Sequence, residues 1–341
     1  MGTIDWSAAD RADLDQVAAE VRRWADAASD SPLYRALALG IAQDPELLRV
    51  VARIDNVPPL NLLFGAVRLT TSPADALAAW YPHLTSPARE AGADAVAAFR
   101  DHVLAREDAL LAIAQSHRTQ TNEVGRAAVL LPWLPRDRGA VHAIDLGASA
   151  GLNLLLDRFA YRYRGAEGDT RIGGGVLELE CDDRGGFDLP ARVPELATRT
   201  GIDLSPVDAT DPAAAAWLEA LVWPEHLDRL ARLRAAIALR RSTEVRMVAG
   251  DAATALTEVV ATLPPGPVVV WHTIALYQAD AAVRADIDAA VDEATRHRDV
   301  TRVGLEPVAE HPAAAVRVGP SFDRGETVAI AHPHGRWIDR A

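Results

Sequence analysis

The strongest constraint on this chain is the stretch Val141–Tyr163, which reads VHAIDLGASAGLNLLLDRFAYRY. A short apolar run, Val141–Leu146, ends in small residues, Gly147-Ala148-Ser149-Ala150-Gly151, and a second apolar segment follows. The pattern predicts a buried strand, a glycine turn and a helix over Leu152–Tyr163. Glycines at such a turn let the backbone come close to a ligand, and the helix behind it presents free N–H groups. A chain organised around this unit is expected to be an α/β protein with a ligand site at the carboxyl end of that strand.

The alternation continues downstream. Strands are expected at Val176–Glu180, Val245–Ala249, Val268–Trp271, Arg302–Leu305, Ala315–Val318 and Val328–Ala331. Helices are expected at Pro212–Leu221, His226–Leu239, Ala252–Ala261 and Ala281–His297. Strand and helix in alternation imply right-handed βαβ units and a mostly parallel, Rossmann-like sheet. The last two strands have no helix between them and are expected to pair as an antiparallel hairpin at the edge.

Upstream the pattern is helical. Ser31-Pro32, Asp44-Pro45, Ser72-Pro73 and Ser86-Pro87 each set a favoured N-cap before a proline, which is tolerated at the first helical position. Ser7 and Asp10 form a capping-box pattern before a helix with Leu14, Val17, Val21 and Trp24 on one face. The final helix is expected from about Glu107 to Leu131. The resulting division is a helical cap domain over 1–138 and a Rossmann-like domain over 139–341.

Composition narrows the function. A net charge of −13 over 341 residues argues against a phosphate-backbone footprint, so no nucleic-acid partner is expected. No apolar run approaches the roughly 18 residues of a membrane span. Asp5, Asp10 and Asp13 stand where a signal peptide needs a basic segment. The single cysteine, Cys181, excludes an internal disulfide and favours a reducing compartment. A cytoplasmic protein acting on a small molecule is expected, and its oligomeric state is left open. The ten histidines show no metal-ligand spacing, so no metal is expected.

The glycine turn admits three readings. Asp145-x-Gly147-x-x-x-Gly151 at the end of a first strand resembles the class I S-adenosylmethionine-dependent methyltransferases, with Ser149 where these have a central glycine. The resemblance implies S-adenosylmethionine along Asp145, Gly147, Ala148, Ser149, Gly151 and Asn153. It also implies that Asp251 and Ala252 lie beside the adenine, with His272 at the reactive end. The acid that grips the ribose stays open between Glu180, Asp182 and Asp203. The second reading takes Gly147-x-Ser149-x-Gly151 as the nucleophile elbow of a serine hydrolase. Asp251 or Asp286 would be its acid and His332 or His334 its base, but the elbow would follow the first strand instead of several. In the third reading the glycines serve only close packing.

A polar block, His117-Arg118-Thr119-Gln120-Thr121-Asn122-Glu123-Val124-Gly125-Arg126, interrupts the apolar helical part. Helical spacing would put Arg118, Asn122 and Arg126 on one face, with Gln120 and Glu123 beside them. Such a face suits an anionic substrate group held by arginine, and Tyr277 is a further substrate contact. His272 or Glu123 is the expected base for an oxygen or nitrogen nucleophile. A solvated helix face is the alternative, as is a binding protein that keeps the fold without the chemistry.

Five segments together resemble the bacterial family known as domain of unknown function 2332. They are Pro59-Leu60-Asn61-Leu62-Leu63, Thr119–Arg126, Gly147–Leu154, Gly201-Ile202-Asp203-Leu204 and Val222-Trp223-Pro224. The resemblance implies that the polar block and the glycine turn belong to one site.

Overall fold

The computed structural model describes residues 11–308, 313–319, 321–322 and 325–341. The Ser7–Asp10 pattern lies outside them. The chain divides into two compact units.

One unit is helical and takes the residues up to Thr121 together with Pro212–Ala231. It contains α1 (Leu14–Ala27), α2 (Pro32–Ile41), α3 (Pro45–Ala52), α4 (Pro59–Thr70), α5 (Ala93–Ala105) and α6 (Glu107–Ser116). Its later segment supplies α8 (Pro212–Ala220) and the start of α9 (Leu227–Ser242). The caps explain the starts. Asp13 accepts the N–H groups of Asp15 and Gln16, Ser31 that of Tyr34, and Asp44 those of Glu46 and Leu47. Ser72-Pro73 and Ser86-Pro87 do not open helices. Ser72 is turned onto the Asp75 carboxylate, ahead of a 3-10 turn over Ala76–Trp80, and α5 begins only at Ala93. Pro82, Pro87 and Gly92 punctuate this stretch too densely for a helix to propagate.

Aromatic packing fills the helical unit. Tyr34 stacks on Phe64 at 4.3 Å between centroids, and Trp24 meets Trp223 at 5.5 Å. Trp217 lies over Gly65, where an added Cβ would come within 2.9 Å of the indole. Glu225 closes the N-terminus of α2, accepting from Ser31 Oγ at 2.5 Å and Leu33 N–H at 2.8 Å. Residues 212–231 are thus part of this core, although some 90 residues of the other unit precede them.

The second unit spans Asn122–Asp211 and Arg232–Ala341. It carries β1 (Val141–Leu146), β2 (Phe159–Gly165), β3 (Gly168–Ile172), β4 (Leu177–Asp183), β5 (Leu196–Asp203) and β6 (Arg246–Ala249). It continues with β7 (Val268–Thr273), β8 (Val300–Pro307), β9 (Ala314–Val318), β10 (Glu326–Ala331) and β11 (Trp337–Asp339). Among the described residues these form one mixed sheet in the order β3-β2-β4-β11-β10-β9-β8-β7-β1-β5-β6. The stretch β6-β5-β1-β7-β8 is parallel throughout. The helices α7 (Arg126–Leu130), α10 (Ala252–Thr262) and α11 (Ala281–His297) belong to this unit, and α10 and α11 bury Leu256, Val259, Ile287 and Val291 with Ile144, Leu146 and Val270 of the sheet.

Several expectations need correction. The helix over Leu152–Tyr163 is a 3-10 turn over Leu152–Arg158 followed by β2, because Phe159, Tyr161 and Tyr163 alternate inward with period two. The helix from Glu107 to Leu131 stops at Ser116 and resumes only at Arg126. Residues 117–125 are not helical, so Arg118, Asn122 and Arg126 share no helix face. The pair β9 and β10 is antiparallel as expected but internal to the sheet, because β11 carries it on to β4. Among the described residues no helix is long and apolar enough to cross a membrane.

Trp217→Ala is expected to destabilise the protein by about 3–5 kcal/mol, the range for emptying a buried indole site. Urea denaturation followed by far-UV circular dichroism measures it, and a change below about 1 kcal/mol would show that this segment is not integral to the helical core.

Candidate functional site

Parallel strands in the order β6-β5-β1-β7-β8 reverse direction of winding between β1 and β7, the switch point at whose carboxyl ends sheets of this kind bind ligands. The glycine turn sits there. Gly147, Ser149 and Gly151 all have positive φ, at 73°, 51° and 69°. For serine this is an unusual backbone conformation, and its surroundings hold it. The Gly147 and Ala148 N–H groups donate to Ile202 O, and Gly151 N–H to Ala148 O. Ser149 N–H donates to Asp203 Oδ2 at 2.8 Å and Ala150 N–H to Asn122 Oδ1 at 3.2 Å. Asn122 Nδ2 in turn donates to Ser149 Oγ at 3.0 Å. Every N–H of the turn is therefore engaged by protein, unlike a loop that cradles phosphate.

The glycines also admit neighbours. A Cβ on Gly147 would lie 2.4 Å from Ala275 Cβ, and one on Gly151 2.9 Å from Met247 Sδ. Close packing accounts for both positions.

Carboxyl groups end three adjacent strands. Asp145 on β1 is 2% exposed, and burial pushes its carboxyl up to about 8. The charge of Asp203 adds to that rise, and the nearby Trp271 and Arg126 oppose it. Asn153 Oδ1 is buried with no hydrogen-bond partner among the described residues, and the Trp271 indole lies beside Asp145 as its hydrogen-bonding neighbour. Asn153 Nδ2 reaches Thr273 Oγ1 at 3.5 Å, so these groups gather beside the end of β7. Asp203 at the end of β5 accepts from Ser149 and Ser205. Asp251 follows β6, is exposed, and caps α10 by accepting from Thr254 N–H, with Ala252 as the first helical residue. Leu204, beside Asp203, is 82% exposed.

Glu180 and Asp182 do not join this edge. They lie on β4, with five strands between it and β1, and pair with Arg162 and Arg164. Of the three acids considered for a ribose, only Asp203 is at the turn.

His272 points to the other face. Its register partner is Leu146, which packs under α10 and α11, whereas Asp145 pairs with Trp271 on the opposite face. The His272 ring is buried, 2.7 Å from Glu306 Oε1 through Nδ1 and 3.4 Å from Arg302 Nε through Nε2. Burial holds its pKa below the ordinary histidine value, against the pull of Glu306. Glu306 also accepts the N–H groups of Ala275, Leu276 and Tyr277, each at 3.2 Å. Neither Glu306 nor Gly304 was singled out from the sequence. A glycine inside an apolar strand was the available signal, since a Cβ there would meet the His272 ring at 2.4 Å.

The polar block is divided. Arg118 and Gln120 belong to the helical unit, where Arg118 O accepts from Trp217 Nε1 at 3.0 Å. Asn122, Glu123 and Arg126 belong to the sheet unit. Glu123 is buried, accepts from Gly125 N–H at 3.0 Å and lies 3.7 Å from Arg232 and 3.9 Å from His334. Arg126 donates to Pro333 O and Thr273 O, each at 2.9 Å. Both residues thus lock the segment before α7 onto the chain around 333–335. Tyr277 is half-buried, and burial raises its phenol above the ordinary value. Among the described residues no cluster suits a metal ion.

The family model described as "Uncharacterized protein conserved in bacteria (DUF2332)" matches residues 18–340. The chain belongs to this family. No curated protein and no solved structure matches it.

Asp145 gives the edge a pH signature. A carboxyl raised from the usual 3.8 to about 8 is protonated in the folded state and ionised in the unfolded one between those values. Its contribution is therefore full below pH 4 and lost as pH rises through 8. Asp145→Asn is expected to gain stability relative to wild type between pH 5 and pH 8, measured by urea denaturation at both. An unchanged difference would remove the raised pKa.

Proposed function

We propose that this protein is an S-adenosylmethionine-dependent methyltransferase-like enzyme acting on an oxygen or nitrogen nucleophile of a small molecule, with a Rossmann-like sheet unit as its cofactor domain. The observation that carries this reading is the row of carboxyl groups, Asp145, Asp203 and Asp251, at the ends of three adjacent parallel strands in a 3-2-1-4-5 order. The Asp203 and Asp251 carboxylates at this edge disfavour a phosphate-bearing dinucleotide and suit a nucleoside that carries positive charge. The engaged N–H groups of the turn point the same way, since they leave no nest for phosphate.

The residues present fit the group. Asp203 is placed for ribose hydroxyls, the exposed Leu204 for the face of an adenine, and Asp251 for its amino group. Asn153 Oδ1 is a buried acceptor in want of a donor, which an ammonium provides. The group supplies an electrophilic methyl on sulfur when bound. The chain's own contribution is alignment, which accounts for most of the acceleration in such displacements. His272, Glu123 and Arg126 are held in buried ion-pair and hydrogen-bond clusters, so we assign them to positioning, and we keep the half-buried Tyr277 as the substrate contact.

The hydrolase reading has the positive φ of Ser149 in its favour. Against it, Ser149 Oγ accepts from Asn122, and the Ala150 N–H that an oxyanion hole would use is already bonded. A fluorophosphonate probe is expected to leave Ser149 unlabelled.

Calorimetry with S-adenosylhomocysteine tests the main reading. Wild type is expected to bind, and Leu204→Asp to bind about tenfold or more weakly with unchanged melting temperature, because the side chain is exposed. Absence of heat from wild type at millimolar ligand would end the cofactor assignment. Binding with no turnover on any nucleophile would leave a binding protein.

A further inference from the structure

The sheet unit has a second concavity. A cleft of about 510 Å³ is lined by Trp133, Leu134, Phe187, Val318, Val328 and Glu326, with Arg136 and Asp188 at its rim. Glu326 is level with Asp145 through the register Asp145–Trp271–Val303–Val318–Glu326, four strands across the sheet. At the usual strand spacing that is about 19 Å. The cleft is therefore separate from the glycine turn.

Its walls have a definite chemistry. The rings of Trp133 and Phe187 meet edge to face, 5.3 Å apart at 78°, forming an aromatic corner. Val318, Val328 and Leu134 complete the apolar walls. Arg136 is neutralised: it donates to Asp188 Oδ2 at 2.6 Å and reaches Pro132 O at 3.3 Å. Glu326 is exposed, with no ion-pair partner among the described residues. The volume falls in the range of small-molecule pockets, about 300–1,000 Å³. A flat ring fits an aromatic corner by stacking and edge contacts. A positive charge on that ring would find a carboxylate at the mouth and an aromatic face within.

We propose that this cleft binds a planar aromatic cation, at a site distinct from the glycine turn. The test uses thioflavin T, a planar cationic dye whose emission rises when its rings are held rigid. Titrating the full chain is expected to give a saturable signal with one dye per chain. Glu326→Gln is expected to weaken binding about three- to fivefold, the effect of one exposed charge pair. Val328→Trp fills the cleft and is expected to remove the signal. Phe187→Ala, outside the strands, provides a second variant should Val328→Trp not fold, and is expected to weaken binding at least tenfold. No saturable signal from wild type, or equal binding by Phe187→Ala, would overturn the site. Equal binding by Glu326→Gln would overturn the cationic class.

Discussion

The carboxyl edge of the sheet depends on the Glu306 carboxylate. It collects four donors: the His272 ring and the N–H groups of Ala275, Leu276 and Tyr277. The turn it holds is a difficult one, because Ile274 is β-branched and has a φ of 53°. Hydrogen bonds to a charged group are worth roughly 1.5–3 kcal/mol each, enough to hold a strained residue costing about 1–3 kcal/mol. That turn brings Ala275 against Gly147 and so packs the end of β7 onto the end of β1. Arg302 and Asp288 extend the network behind His272, tying β8 and α11 to the same point.

A second lock acts on the opposite face. Glu123 and Arg126 hold the approach to α7 against residues 333–335, where Gly125 and Gly335 come so close that neither has room for a Cβ. Asn122, immediately before, braces Ser149. Asn122 joins the block to the turn through its side chain, whereas Arg126 is spent on the backbone acceptors of Pro333 and Thr273. That is why Glu123 and Arg126, which look like part of a substrate-binding face in one dimension, are buried.

What the sequence revealed follows from how far each signal reaches along the chain. The strand Val141–Leu146, the glycine turn and the capped helices α2, α3, α10 and α11 are local features, set by neighbouring residues, and they are legible. β5 is not, because Leu196–Asp203 is rich in Thr and Arg and becomes a strand only by lying between β1 and β6. β2 was hidden by the leucines before it, whose spacing suits a helix until the aromatic alternation takes over. Asp203 was readable as an acid at the turn, but its preference over Glu180 and Asp182 required the strand order. Glu306 was invisible, since its four partners lie about 30 residues upstream and only register brings them together.

The helical unit draws on two separated lengths of chain, and this has a consequence for biosynthesis. Helices α1 to α6 leave the ribosome long before Trp217, Trp223 and Glu225 exist to complete their core. At 5–20 residues per second, the nascent helices wait on the order of 5–20 seconds for those side chains. During that interval the apolar surface around Gly65, Trp24 and Tyr34 lacks its cover, while the first strands of the sheet unit are being made. The order of synthesis therefore makes the last-arriving tryptophans the closing step of the first-made unit.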